Sequence, residues 1–258
     1  MMYAETYPNE KNLINELKIK MKIKYPCLME LIGYSPINLD HSAVPTFWYK
    51  YYANKTLEEY LKDKNFDTKN PKNYILILGI AIAMLYLEQN DIDNYQFFPS
   101  KILIDENFYP VVSLHIAGLE NINFYSIDDI AHMPPERFAD LSFFCNESNI
   151  YSFGIMLYQF FTGRKPYNEQ LFKSCYKMIE HVMKGMKPDL SIIKNEVFHD
   201  LLSNCMKEEI FERICFEDIV DFITNEEFYS YYEDLDHESV KQFLDIFGDD
   251  FDHLKNKF

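Results

Sequence analysis

The sequence predicts an α+β protein, mainly helical, with its few strands near the front. Two apolar runs, "YILILGIAIAMLYL" (74–87) and "NIYSFGIMLYQFFTG" (149–163), are too long for strands and hydrophobic nearly all round, which marks helices at the centre of a fold. From 170 to 224 the pattern is helical throughout, whereas the aromatic stretch "TFWYKYY" (46–52) is strand-like.

In chain order, residues 9–24 contain helix formers, but "LKIKMKIK" alternates apolar residues with lysine as a strand does. Leu13, Leu17 and Met21 also fall at helical spacing, so periodicity leaves both readings open here. "NKTLEEYLK" starts a helix and "DKNFDTKNPKN" breaks it. After Asp105 comes a short hairpin-like stretch, then loops as far as Asp140. Gly163 ends the second buried helix. The tail from Asn225 holds ten acids against three lysines, with aromatic residues between them. Val240, Phe243, Leu244 and Phe247 follow i, i+3, i+4, i+7, so 237–247 reads as one amphipathic helix. Packing back on the domain is the plainer expectation for it, and docking into a partner's groove the alternative.

Composition narrows the function classes. A chain of 258 residues, 48% apolar and 17% aromatic, can bury a sizeable core. A formal charge of −16 disfavours nucleic acid and anionic membrane surfaces as partners. The five cysteines and seven histidines are scattered without metal-ligand spacing, so free thiols and no metal site are expected. "MMYAETYPNEKN" lacks the apolar core of a signal peptide, and the fourteen residues from Tyr74 to Leu87 are too few to span a bilayer. A soluble, cytoplasmic protein is expected. With seven glycines and no G-x-G, no glycine-rich phosphate cradle is encoded.

The order of four motifs resembles the protein kinase family, closest to its tyrosine-kinase-like branch. "NIYSFGIMLYQFFTGRKPY" (149–167) is similar to the kinase helix D-V-Y-S-F-G-I-x-L-Y-E-x-x-T-G-x-x-P-[FY]. "MPPERF" (133–138) resembles the A-P-E motif, and "NCMKEEIFERICFEDIV" (204–220) the late segment C-W-x-x-D-P-x-x-R-P. "YPCLMELIGY" (25–34) resembles the stretch after helix αC. The resemblance implies a kinase-like fold: a reduced N-lobe over 1–52 with αC and about two strands, a helical C-lobe over 53–224, and an acidic, aromatic helical tail over 225–258.

It also implies a site without its chemistry. "NYQFFPSKILID" (94–105) stands where kinases have H-R-D-L-K-P-S-N-I-L-L-D. Gln96 then replaces the catalytic base, Phe98 the catalytic-loop Lys and Lys101 a magnesium ligand, while Leu114 takes the acid of D-F-G, followed by His115 and Ile116. Gln cannot accept a proton at neutral pH, and Leu cannot coordinate a hard cation. Glu16 matches the αC glutamate, yet none of residues 1–10 is Lys, and with only fifteen residues ahead of it the first three strands are expected to be missing. Lys20, Leu31, Asn94 and His115 fall on the stacked column that aligns an active kinase, where three polar members fit poorly. Asn149 replaces the acid that anchors the catalytic loop, and Tyr49 falls where bulk obstructs the adenine pocket. Glu136 and Arg213 match a buried structural ion pair of the family.

A lone His115 reads as structural, and Lys101 as a solvated lysine about as readily as a phosphate contact. Tyr125 and Ser126 lie in the activation-segment position but read as ordinary loop, because no Arg stands in the H-R-D position to receive a phosphate. Three functions survive: a non-catalytic kinase-like module acting by protein contacts, a kinase with unconventional phosphotransfer, and a degraded paralogue without a selected role. No cofactor is expected for the first. Its partner is a protein or a second copy of the chain, bound by an exposed edge around Phe47, Trp48 and Tyr49; the competing expectation is that residues 1–12 cover that edge.

Overall fold

The computed structural model describes residues 2–6, 17–38, 40–42, 45–52, 55–92, 95–116, 125–167, 172 and 174–258, with backbone alone at 2–6, 95–96 and 115–116. Glu16 and Asn94 lie outside the described residues.

The small lobe is an antiparallel sheet of three strands, β1 (Met2–Thr6), β2 (Leu31–Ser35) and β3 (Thr46–Lys50), in the order β1-β3-β2. The register runs from Met2 opposite Lys50 to Thr6 opposite Thr46 on one side of β3, and from Leu31 opposite Tyr49 to Ser35 opposite Thr46 on the other. A strand therefore precedes αC where none was expected. It also corrects the exposed-edge expectation. β3 is the central strand, Phe47 and Tyr49 are buried, and Trp48 is half-buried. An open strand edge carries a row of unpaired N–H and C=O groups, and five residues of β1 are enough to satisfy them.

The open reading of 17–24 resolves to a helix, α1 (17–22). Leu17 packs on Phe47 and Tyr49 and Lys20 lies one turn on, buried, while Met21 faces solvent. Helical spacing puts residues 17 and 20 on the face that meets the sheet.

The large lobe is built on α3 (Lys72–Gln89) and α6 (Asn146–Thr162), which touch and are buried along most of their length. Neither helix has a polar face because each is wrapped by others. α8 (Glu196–Cys205) lies on α6, and α9 (Phe216–Ile223) on α3. The α6–α8 approach requires Gly154, where a Cβ would come within 2.7 Å of the Cys205 side chain. Gly163 ends α6 at φ 63°, its N–H donating to the Gln159 carbonyl. A short α2 (Leu57–Leu61) precedes α3, held by a capping box between Thr56 and Glu59.

The tail packs back. α10 (Glu226–Tyr229), α11 (His237–Asp245) and α12 (Asp252–Lys255) join the core of the large lobe through Phe228, Val240, Phe243, Leu244 and Leu254, all fully buried. Tyr74 of α3 meets the rings of Phe228, Tyr229, Tyr232 and Phe258. The acids of α11 sit at its ends and outward positions, so its charge is the solvated face of a docked helix.

Candidate functional site

Between the lobes run β4 (Tyr95–Gln96), a 3-10 turn (Pro99–Lys101), the hairpin β5 (Ile102–Ile104) and β6 (Pro110–Val112), and β7 (His115–Ile116). β4 and β7 pair antiparallel with Gln96 opposite His115, so the base position and the D-F-G position are neighbours. Pro99 opens the turn with φ already set, Lys101 N–H closes it on the Phe98 carbonyl at 2.9 Å, and Ser113 N–H ties it to β6 through the Lys101 carbonyl at 2.8 Å. The backbone frame of a catalytic loop is present.

Two positions of that frame, Phe98 and Leu114, carry apolar side chains where the family has charged ones. Phe98 is 3% exposed, and its ring stands edge-on to Tyr125 at 5.8 Å. Both belong to a second apolar cluster with Ile130, Met133, Tyr167, Phe172 and Met178. Leu114 is buried in the main core. The side chains of Gln96 and His115 are outside the described residues. Among the described residues no group of three or more His, Cys, Asp or Glu could hold a metal ion.

The activation segment is pinned by polar contacts. α4 (Ile127–His132) begins in a capping box in which Ser126 and Asp129 satisfy each other. Asp129 also accepts the Ser100 hydroxyl at 2.7 Å, tying the catalytic-loop turn to α4. Asp128 takes Lys62 and Lys165 at 2.7 and 3.1 Å, and these cations hold its carboxyl below the ordinary value despite burial. His132 is buried, with Nδ1 2.7 Å from the Asp128 carbonyl and Nε2 2.8 Å from Gln159 Oε1. Burial outweighs both oxygens and holds the imidazole below its usual pKa. The unfolded chain, near its ordinary value of about 6.5, therefore takes up this proton first, so stability is complete above that pH and falls as pH drops through the lower folded value. His132→Asn is expected to flatten the loss of thermal midpoint between about pH 7 and about pH 5 relative to wild type, as thermal melts at both pH values would show.

α5 (Pro135–Ala139) carries two charges with opposite fates. Glu136 receives Arg213 Nη1 at 2.6 Å and Nη2 at 3.0 Å, with the Ser148 hydroxyl at 2.8 Å as a third donor. The Arg213 side chain is fully buried, and its remaining donors reach the Lys207 and Glu147 carbonyls. Arg137 is also buried, yet its Nε and Nη2 have no acceptor among the described residues. Each orphaned donor costs about 1–3 kcal/mol. Asn149, in the anchor position, likewise leaves its buried amide nitrogen without a partner among the described residues.

In the small lobe, Lys20 Nζ donates to the Tyr49 hydroxyl at 2.6 Å and lies 5.4 Å from the Phe47 ring centre. The polar member of the expected apolar column is thus housed by an aromatic wall. Sequence reasoning missed this contact, Asp129 and Arg137. None carries a periodic signal, and only the position of Tyr49 hinted at the first.

A family model for protein tyrosine and serine/threonine kinases matches residues 1–223. Among Arabidopsis thaliana proteins, the chain is 24% identical over 210 residues to the G-type lectin S-receptor-like serine/threonine-protein kinase RKS1, a match covering 77% of this chain and 24% of that protein. It is 27% identical over 185 residues to cysteine-rich receptor-like protein kinase 19, covering 67% and 27%. To the protein kinase and PP2C-like domain-containing protein it is 22% identical over 241 residues, covering 79% and 36%. The chain thus spans about a quarter to a third of these relatives' lengths. Among the described residues no helix is long and apolar enough to cross a membrane.

Proposed function

The chain belongs to the protein tyrosine and serine/threonine kinase family, and we propose that it is a pseudokinase, a kinase-like lobe that acts through protein contacts and transfers no phosphate. The observation that carries this reading is Phe98. It stands in the position of the catalytic-loop lysine and is packed, 3% exposed, against Tyr125 of the activation segment. Phosphoryl transfer relies on positioned charge around the moving phosphate. A phenyl ring supplies none and fills the volume in which a lysine would work. Gln96 offers an amide where a base is needed, Lys101 a cation where magnesium needs oxygen, and Leu114 no ligand at all.

Incubation with labelled ATP, magnesium and a general acceptor protein is expected to give no transfer, and magnesium-ATP no shift in the thermal midpoint. Gln96→Asp combined with Leu114→Asp is expected to remain inactive, because Phe98 and Lys101 are unchanged. Turnover by the wild-type chain would sink the proposal in favour of an unconventional kinase. The same reading assigns the chain to the cytoplasm, with a protein or a second copy of itself as partner. Light scattering across a concentration series tests the second copy directly.

A further inference from the structure

A cavity of about 420 Å³ opens in the large lobe where the end of α3 meets α9 and the tail. It has the size of a small-molecule site, and none of its lining residues belongs to the catalytic-loop frame. Part of its wall is aromatic and apolar. The rings of Tyr25 and Tyr86 stack at 3.9 Å, beside Val220 and Phe251, both buried. The exposed part is anionic. Glu217 and Asp221, one turn apart on α9, line one side, and Asp250, in the 3-10 turn Gly248–Phe251, lines another. Cations at hand answer little of this charge. Lys257 lies 3.5 Å from Asp221 but donates to the Thr224 hydroxyl at 2.9 Å, and Lys255 is held by Asp245 and Asp252. Glu217 and Asp250 have no ion pair among the described residues. Burial first, then the charges of Glu147, Glu217 and Asp218, hold the nearby Glu88 carboxyl above its usual range, against the Phe216 N–H that it accepts.

We infer that this cavity binds a linear aliphatic polyamine, its ammonium groups on the carboxylates and its methylene chain over the two tyrosine rings. An ammonium gains from a carboxylate and from an aromatic face together, and the alkyl segments between ammoniums need an apolar wall. A single metal ion does not suit the same lining, because among the described residues no group of three His, Cys, Asp or Glu could hold one. Charge spread along a flexible chain is what carboxylates on separate walls can share. Tyr25 adds a neutral acceptor for an ammonium, since burial, and after it Asp250, keep its hydroxyl protonated. Asp250, Phe251 and His253 of the lining come from beyond residue 223, where the family match ends, so the matched domain alone does not build this cavity. The inference does not rest on the absence of phosphotransfer.

Equilibrium dialysis of the full chain against labelled spermine, in about 0.1 M salt, is expected to show saturable binding of one amine per chain. Glu217→Gln and Asp250→Asn, both at exposed positions, are each expected to weaken it about fivefold, and together roughly twentyfold. Asp234→Asn removes the same charge from an exposed position outside the cavity and is expected to leave the affinity within about twofold. An equal loss in Asp234→Asn would trace the binding to the overall charge of the chain and overturn the site. Hexylamine, with the chain but one charge, is expected to compete at least about tenfold more weakly than 1,6-diaminohexane. Absence of saturable binding, or displacement of spermine by magnesium beyond that by sodium at equal ionic strength, would overturn the inference. A lysine tetrapeptide that binds about tenfold more tightly than spermine, and is lost in the same two variants, would overturn the small amine in favour of a partner's basic segment.

Discussion

Arg213→Ala is expected to lower the thermal unfolding midpoint by roughly 10 °C. The substitution leaves Glu136, whose side chain is only 11% exposed, with the Ser148 hydroxyl as its remaining side-chain hydrogen-bond donor among the described residues. Removing one partner of a buried pair costs about 3–5 kcal/mol, because the remaining ion keeps its desolvation penalty. It also removes the guanidinium donors from the Lys207 carbonyl and from the Glu147 carbonyl in the first turn of α6. Arg213→Ala with Glu136→Gln should be milder than the single change, since the unpaired charge is gone, but not neutral, since the Arg213 hydrogen bonds to the Lys207 and Glu147 carbonyls are lost. A double-mutant cycle on thermal midpoints measures the difference. An unchanged midpoint in Arg213→Ala would contradict the geometry of this pair.

Phe243→Ala is expected to destabilise the whole lobe by about 3–5 kcal/mol, not merely to loosen the tail. The ring is fully buried, edge-on to Tyr109 at 4.8 Å and to Phe247 at 5.4 Å. It presses on the bare backbone of α3 at Gly79, where a Cβ would come within 2.7 Å of both Phe243 and Pro110. Deleting the ring therefore opens a cavity shared by α3, the β5–β6 hairpin and α11. One cooperative transition with a lowered midpoint is expected, with hydrogen exchange rising in α3 as well as in α11. Faster exchange confined to 237–255, with the midpoint unchanged, would mean that the tail is an appendage. Gly79→Ala makes the complementary test. Its gain in helix propensity is about 1 kcal/mol, and it is expected to be outweighed by overpacking against Phe243 and Pro110, for a net loss of midpoint.

How much of this was legible in advance differs from element to element. α3 and α6 were readable because an all-round apolar run of that length has few alternatives, and Gly163 marked where α6 stops. The Glu136–Arg213 pair was readable only through the resemblance, since 77 positions separate its members and no local period connects them. Residues 17–24 were not decidable, because alternating lysines satisfy a strand pattern while Leu17 and Met21 satisfy a helical one. The third strand was missed because "MYAET" is short and has no apolar alternation, and it is a strand by virtue of its partner.

By itself the sequence determined the kinase-like order of elements and the chemical poverty of the loop, since residue type alone says what can carry a proton, a charge or a metal. Tertiary structure decided which groups are buried together. It made β3 a central strand instead of an open edge, drew α11 onto Gly79, seated Lys20 against Tyr49, and enclosed Arg137 with its Nε and Nη2 lacking an acceptor among the described residues. Those outcomes depend on contacts between segments far apart in the chain, where the free energy comes from surfaces that meet only after folding and no single window of residues records it.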